Sequence, residues 1–373
     1  MAASFSKVGK KFRVTYEHGK DGNGKRIRTF QTAETEAEAK KLVAEFNFNQ
    51  QRGLLVTQND VTLAEHLQYW LKVDVENNCQ ETTIYGYRNI VENHLIPSLG
   101  RVKLQELQPV MIQSYYQGLL EKKGLSSNTV RGHHAVLRKA LDFALKQQYI
   151  YRNVADAVVK PKKGKSIGRS YTPEQAKILL EKVAGTKLEV PVYLALWLGL
   201  RREEVTGLQW KHVNLTTREL HIVEVRTAAG NNNNIIKEPK TAKSQRKLYI
   251  PDELHQVLTA EKERQEKRKE LLGDQVYQNS GYVVVKADGR PYRVNGLSEH
   301  FTDFIRKNNL PKIRFHDLRH SYASLMYYAG VDLKAISEIM GHSDIGTTSR
   351  IYTHLMDNTF KDKISVMSSI LSK

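Results

Sequence analysis

The sequence is poor in cysteine, in proline and in uninterrupted apolar runs. Among 373 residues there is one cysteine, Cys79. That excludes a disulfide framework and a cysteine-based zinc cluster, and it fits a reducing, intracellular setting. No run of about 18 uncharged apolar residues occurs, so no membrane-spanning helix is expected. The opening stretch MAASFSKVGKKFRV has neither the apolar core nor the cleavage signal of a secretory peptide. A soluble, cytoplasmic protein is therefore expected. Acidic residues are also scarce: 40 Asp and Glu stand against 58 Lys and Arg, a formal charge of +18, with a pI near 9.6. Such an excess makes a polyanion the expected partner, because lysines and arginines gain affinity by displacing counterions from phosphates. No long basic amphipathic helix with an aromatic face stands out, which argues against a membrane surface. No repeat of fixed period points to a solenoid.

What is present divides the chain. Residues 11–16, KFRVTY, alternate polar with apolar, KDGNGK carries two hairpin-turn signals, and RIRTF reads as a returning strand. Thr35 and Glu38 form a capping box ahead of Ala39, Leu42, Val43 and Phe46, which share one helix face. Residues 1–57 are thus expected to form a small three-stranded sheet with one helix. Lys11, Arg13, Arg26 and Arg28 give that sheet a basic face, either suited to a DNA groove or simply solvated.

From Val61 the period becomes helical. Thr62 and Glu65 form a second capping box before Leu63, Leu67, Trp70 and Leu71, and further helical patterns cover 82–94, 109–122 and 127–147. Residues 61–160 are expected to form an all-helical domain, in which Arg131, His134 and Arg138 make a positive stripe beside the core stripe of Val130, Leu137, Leu141 and Ala144. Residues 161–169 then read as an exposed basic linker that includes Lys162, Lys163 and Lys165. It lies against the polyanion or serves as a solvated tether.

Residues 170–373 are expected to be a mixed α+β domain, so that the whole chain is mainly α with small β-sheets. Thr172, Pro173 and Gln175 open a helix that runs to Gly185. A very apolar helix, VPVYLALWLGL, follows, then strand-like ELHIVEV and RKLYI on either side of a polar loop. Helices resume near Asp252, with YVVVKA as a short strand candidate.

Four segments of this domain place polar residues where packing does not ask for them: Arg201 in GLRREE, Lys240 in PKTAKSQR, His316 and Arg319 in RFHDLRH, and His342 and Tyr352 in MGHSDIGTTSRIYTH. Singly, each has an ordinary structural reading. Together, two arginines offer planar forks for phosphate oxygens, a lysine and histidines move protons, and a tyrosine can attack.

These four motifs, in this order and spacing, resemble the catalytic domain of the tyrosine recombinases, the phage integrase family. The helical region resembles the family's core-binding domain less specifically, and the N-terminal sheet resembles the arm-site-binding domains of integrases from phages and integrative elements. Leu198 before GLR and Met340 before GH depart from common family choices but stay apolar. Lys240, and not Lys243, precedes threonine as the family's lysine does.

The resemblance implies a site-specific recombinase that integrates or excises a mobile element on double-stranded DNA through a 3′-phosphotyrosyl intermediate, without metal or ATP. Tyr352 is the implied nucleophile. Arg201 and Arg319 would grip the phosphate, His342 would donate to it, His316 would accept the tyrosine proton, and Lys240 would protonate the leaving 5′ oxygen. A homo-tetramer on core and arm sites is implied too, possible helpers being an excision factor or a host DNA-bending protein, in the nucleoid of a bacterial cell. Ile364, Met367, Ile370 and Leu371 form an apolar stripe in the tail, fit to dock on a neighbouring protomer or on its own domain. Two rivals remain: a DNA-binding regulator without catalysis, and a zinc-dependent hydrolase using His316 and His320, which are spaced as in zinc helices.

Overall fold

A computed structural model describes residues 2–20, 24–51, 59–164, 169–230, 233–237 and 245–341, and the chain divides into two compact units, Met1–Lys165 and Ser166–Lys373. The first unit begins with three antiparallel strands, β1 (Ala2–Val8), β2 (Lys11–Lys20) and β3 (Arg26–Ala33), in the order β1-β2-β3. β1 is a strand that the sequence pattern left unassigned. It pairs through a tight turn in which Gly9 takes φ +66°, with Val8 opposite Lys11. Period-two alternation puts Phe12, Val14 and Tyr16 on one face, where α1 (Glu36–Gln51) covers them with Ala39, Leu42 and Val43. Thr35 caps that helix through the Glu38 N–H at 3.2 Å, and the Glu38 carboxylate reaches back to the Glu34 N–H.

The helical region starts at α2 (Leu63–Trp70), with the Thr62–Glu65 capping box formed in both directions. A π turn over Leu71–Val75 links it to α3 (Glu76–Asn78). α4 (Glu81–Ile90) likewise passes through a π turn, Val91–Leu95, into α5 (Ile96–Leu99). The single helix expected at 82–94 is thus longer and locally widened. α6 (Pro109–Glu121) and α7 (Ser127–Lys146) complete the bundle around Leu63, Trp70, Leu95, Ile112, Leu137 and Leu141, all nearly or fully buried. The strip after Val158 lies along α7: Pro161 O accepts from Arg131, and Gly164 exchanges two hydrogen bonds with Asn128.

The second unit opens with α8 (Pro173–Val183), whose Thr172–Gln175 capping box is complete, and α9 (Glu189–Trp197), an apolar helix buried by its neighbours. α10 (Arg202–Gly207) follows directly. Strand β4 (Val213–Asn214) and β5 (Glu219–Ile222) precede the hairpin of β6 (Val225–Ala229) and β7 (Asn233–Lys237), and β8 (Arg246–Tyr249) returns to pair with β5. α11 (Asp252–Leu272), α12 (Val294–Lys307), α13 (Asp317–Tyr328) and α14 (Leu333–Met340) pack around the core of Leu194, Leu220, Leu254, Leu297, Phe301 and Leu318. YVVVKA, the strand candidate, makes only isolated bridges, Tyr282 with Gln209 and Val285 with Pro291. Its valines are buried all the same.

Candidate active site

α9 ends two residues before Gly199, which takes φ +62° and lies so close to Tyr322 that an added Cβ would stand 2.6 Å from its ring. Only glycine fits there. The reversal sets Arg201 as the N-cap of α10, in extended backbone conformation, where its main-chain N–H donates to the Glu204 carboxylate at 2.8 Å. Glu204 sits at the third helical position, as a capping partner does. Its side chain is 1% exposed.

Three arginines close on that one carboxylate. Arg201 Nη1 donates to Oε1 at 2.8 Å. Arg246, from β8, grips both oxygens, Nη1 to Oε1 at 3.0 Å and Nη2 to Oε2 at 2.9 Å. Arg319, from α13, brings Nη1 to 4.0 Å of Oε2. Burial works to raise the Glu204 pKa, but the Arg246 hydrogen bonds and the charges of Arg246, Arg201 and Arg319 outweigh it and hold the group at about 2. One ionised carboxylate among three guanidinium groups leaves the cluster positive, which is the sign a phosphodiester requires.

The same arginines meet the end of α14. Arg246 Nε donates to Ile339 O at 2.7 Å, Arg319 Nη2 to Met340 O at 2.6 Å, and Arg201 Nη2 to Gly341 O at 2.9 Å. Three consecutive carbonyls at a helix C-terminus thus receive three cations. Those carbonyls lack intrahelical partners and carry the negative end of the helix dipole. Gly341, in left-handed conformation with φ +65°, turns the chain at that point. Arg319 also donates to Gly199 O at 2.5 Å and is 2% exposed.

His316 is the N-cap of α13 and opens to the surface, whereas Arg319, three residues on, turns inward. A surface imidazole and a buried guanidinium thus stand three residues apart at the start of one helix. The protein crowded around His316, and then the Arg319 charge, hold its pKa below the ordinary histidine range, so it is neutral near pH 7. His320 packs edge-on against it, ring centroids 5.2 Å apart, and burial followed by the His316 neighbour brings its pKa to about 4. Asp317 gives both carboxylate oxygens to Arg314, at 2.7 and 3.0 Å, and is not free to ligate a metal beside the two histidines. Among the described residues, no group of three or more His, Cys, Asp or Glu could hold a metal ion.

Arg201 and Arg319 thus meet at Glu204 and the end of α14, His316 stands at the surface where α13 begins, and Lys240, His342 and Tyr352 lie outside the described residues, as do Lys243 and the tail stripe. Glu204 and Arg246 were missed as site residues. Both stood in the motifs GLRREE and PKTAKSQR, and the signal was an arginine beside an apolar helix with two glutamates following.

The basic residues of the first unit are more varied. Arg13 lies over the ring of Phe30 at 5.8 Å, and Phe30 is 62% exposed on the sheet's outer face. Arg26 and Arg28 both pair with Glu17, and Lys11 pairs with Glu34. The expected stripe on α7 is weaker than its sequence: His134 is buried, bonded to Tyr116 Oη at 3.0 Å, and kept below the ordinary histidine range by that burial. Arg138 faces Asp156 and Asp142, and Arg131 holds Pro161 O. Lys162 and Lys163 are exposed, and Lys165 lies outside the described residues. No helix among the described residues is long and apolar enough to cross a membrane.

Residues 170–359 match the phage integrase family, and residues 62–120 match the phage integrase N-terminal SAM-like domain. The chain belongs to the phage integrase family, the tyrosine recombinases that cleave and rejoin DNA. It is 29% identical over 386 residues to a "Tyrosine recombinase XerC-like" protein of Caldanaerobacter subterraneus subsp. tengcongensis, covering 98% of both chains. It is 26% identical to the ICEBs1 integrase of Bacillus subtilis, covering 93% of this chain and 94% of that one. In fold it is similar to the Tn1549 transposon integrase in complex with a circular intermediate DNA, with a TM-score of 0.68 and 21% identity over 82% of this chain and 99% of that one. It is also similar to lambda integrase, solved as a tetramer bound to a Holliday junction, with a TM-score of 0.59 and 16% identity over 91% of this chain and 95% of that one.

Proposed function

We propose that the chain is a site-specific integrase of a mobile element whose nucleophile is Tyr352. The Tyr352 hydroxyl oxygen forms a bond to phosphorus, the bond from phosphorus to the 5′ oxygen breaks, and the energy of the phosphodiester is kept in a 3′-phosphotyrosyl link. A free tyrosine hydroxyl titrates at about 10, so attack needs an acceptor for its proton and an activated phosphate. Neutral His316 takes the proton, Lys240 delivers one to the departing 5′ oxygen, and His342 donates to a non-bridging oxygen. Arg201 and Arg319 stabilise the charge that builds up on the phosphorane. The observation that carries the reading is the meeting of Arg201 and Arg319, from distant segments, at one buried carboxylate and adjacent carbonyls of α14.

Within this reading, residues 1–57 bind arm sites, with Arg13, Arg28 and the exposed Phe30 on the sheet face that enters a groove. Residues 61–160 and the exposed Lys162 and Lys163 hold the core site. A homo-tetramer carries out strand exchange, as the lambda integrase tetramer on a Holliday junction suggests by analogy. An excision factor or a DNA-bending protein sets direction, and the work takes place in the bacterial cytoplasm, on the nucleoid.

The test is a nicked DNA substrate built from the direct repeats that flank the element. The wild-type chain is expected to become covalently joined to it, and Tyr352→Phe to bind equally well without forming the adduct. Tight, specific binding by the wild type with no adduct would leave a DNA-binding regulator as the function.

A further inference from the structure

We infer that Arg246 is a positioning residue of the recombination site: it locks the Glu204 carboxylate to the end of α14, and by that lock sets where Arg201 and Arg319 stand when a phosphate arrives. The inference rests on the reading of that pair as the phosphate grip. Arg246 itself does not touch DNA in this scheme. Its side chain is 8% exposed, and three of its N–H groups are directed at Glu204 and Ile339 O.

The geometry suits arginine alone. Two parallel bonds to the two carboxylate oxygens fix both the position and the rotation of Glu204, and the third bond ties the same planar fork to a helix end. Glu204 in turn holds Arg201 twice, through its main chain and its guanidinium. Arg319 is oriented by the neighbouring carbonyls of Gly199 and Met340. With Arg246 removed, one side of a fully buried carboxylate loses its partners, and among the described residues Arg201 and the more distant Arg319 are left to answer its charge. Glu204 would then swing toward them, drawing into a closed ion pair the guanidinium groups that must face the phosphate.

A second consequence follows from chain order. Arg246 is the first residue of β8 and lies six positions after Lys240 in the sequence. Ile339 O lies in the last turn of α14, just before Gly341 and the segment that carries His342 and Tyr352. One side chain therefore joins three motifs: GLRREE through Glu204, PKTAKSQR through its own backbone, and MGH through the helix end. The charged groups facing Glu204 are Arg201 from the start of its own helix, Arg246 from β8 and Arg319 from α13, and the Tyr322 hydroxyl lies near the last two.

The test is single-turnover adduct formation on the nicked substrate, measured across pH for the wild type, Arg246→Lys, Arg246→Met and Glu204→Gln, beside DNA binding and melting temperature. Arg246→Lys keeps the charge and loses the fork; a displacement on the ångström scale is expected to slow adduct formation about 100-fold with binding little changed. In Arg246→Met, Glu204 becomes protonatable in the working range, so the rate should gain an acid limb that the wild type lacks, and added guanidinium should recover part of it. Glu204→Gln should show the slow rate at every pH, without that limb. Should Arg246→Met not fold, the lysine variant decides alone. Folded variants with wild-type rate and pH profile would overturn the inference, as would a loss that tracks melting temperature only and is cured by cooling. A wild-type chain that forms no Tyr352 adduct removes the underlying reading and this one with it; a normal wild type beside normal Arg246 variants removes only this one.

Discussion

On α7, Arg138 answers two carboxylates, Asp142 and Asp156, at the protein surface, and its charge is cancelled where it arises. At the end of α14, Arg201, Arg246 and Arg319 share one carboxylate that is 1% exposed, and positive charge is left over. Both places were basic stripes or basic motifs in sequence. The difference is in the number of carboxylates per arginine and in the access of water. An exposed pair is screened and contributes little, whereas a desolvated cluster keeps its field and directs it at whatever anion enters. Net charge alone therefore says that a polyanion is bound, and not which arginines do chemistry on it.

Breaking the buried cluster should have the largest effect. Arg201→Ala or Arg319→Ala should lower adduct formation by about 10³-fold, the loss expected when a donor to transition-state charge is removed; single-turnover cleavage checks it, with gel-shift affinity as the control. Glu204→Ala strips three guanidinium groups of their shared anion and should destabilise the second unit by about 3–5 kcal/mol, measured by denaturant unfolding.

The histidines sharpen the comparison from the other side. His133 on α7 is 2% exposed, accepts or donates at Tyr115 Oη at 2.7 Å, and is brought to a pKa of about 4 by burial and then by the charges of His94 and Lys123. Its folded pKa lies below the unfolded value of about 6.5, so its stabilising share is complete above pH 6.5 and is lost as pH falls toward 4. The helical region should weaken by about 3 kcal/mol across that window, and His133→Gln should flatten the loss, as followed by urea melts of the first unit between those pH values. Glu204 behaves alike but lower: its stabilisation holds above the usual glutamate range, about 4.3, and is lost only as pH approaches 2. The first unit should thus yield to acid before the arginine cluster does.

The smallest effects belong to the surface. Lys162→Ala and Lys163→Ala should each reduce the slope of log affinity against log salt by about one, without changing which DNA is preferred. Asp156→Asn should steepen that slope by removing one of the two carboxylates that answer Arg138, and leave the melting temperature where it was.

Capping boxes at Thr62 and Thr172, the hairpin signals and the apolar periodicities were legible because they are local: a hydroxyl, a glutamate or glutamine three residues on, and a period. The π turns at Leu71–Val75 and Val91–Leu95 were not, since no side-chain pattern marks one extra residue in a helical turn. Arg201, His316 and Arg319 could be picked from the motifs, yet their orientation could not. The partners that orient the arginines are Glu204, a second arginine forty-odd positions along the chain, and main-chain oxygens that every residue possesses and no letter of the sequence advertises. His134 leaves the charged stripe that its spacing predicts because the periodicity of α7 places it at the edge of the core, where Tyr116 draws it in.

The last turn of α14 makes length count for more than identity. Ile339 and Met340 contribute oxygens about 100° apart around the helix axis, and left-handed Gly341 turns a third out of that spiral. Exchanging Met340 for leucine keeps those oxygens where they are. Deleting a single residue from the turn would readdress all three at once, delivering to each arginine the carbonyl meant for another, and would shift the segment beyond Gly341 by the same step. In that turn the spelling is negotiable and the count is not.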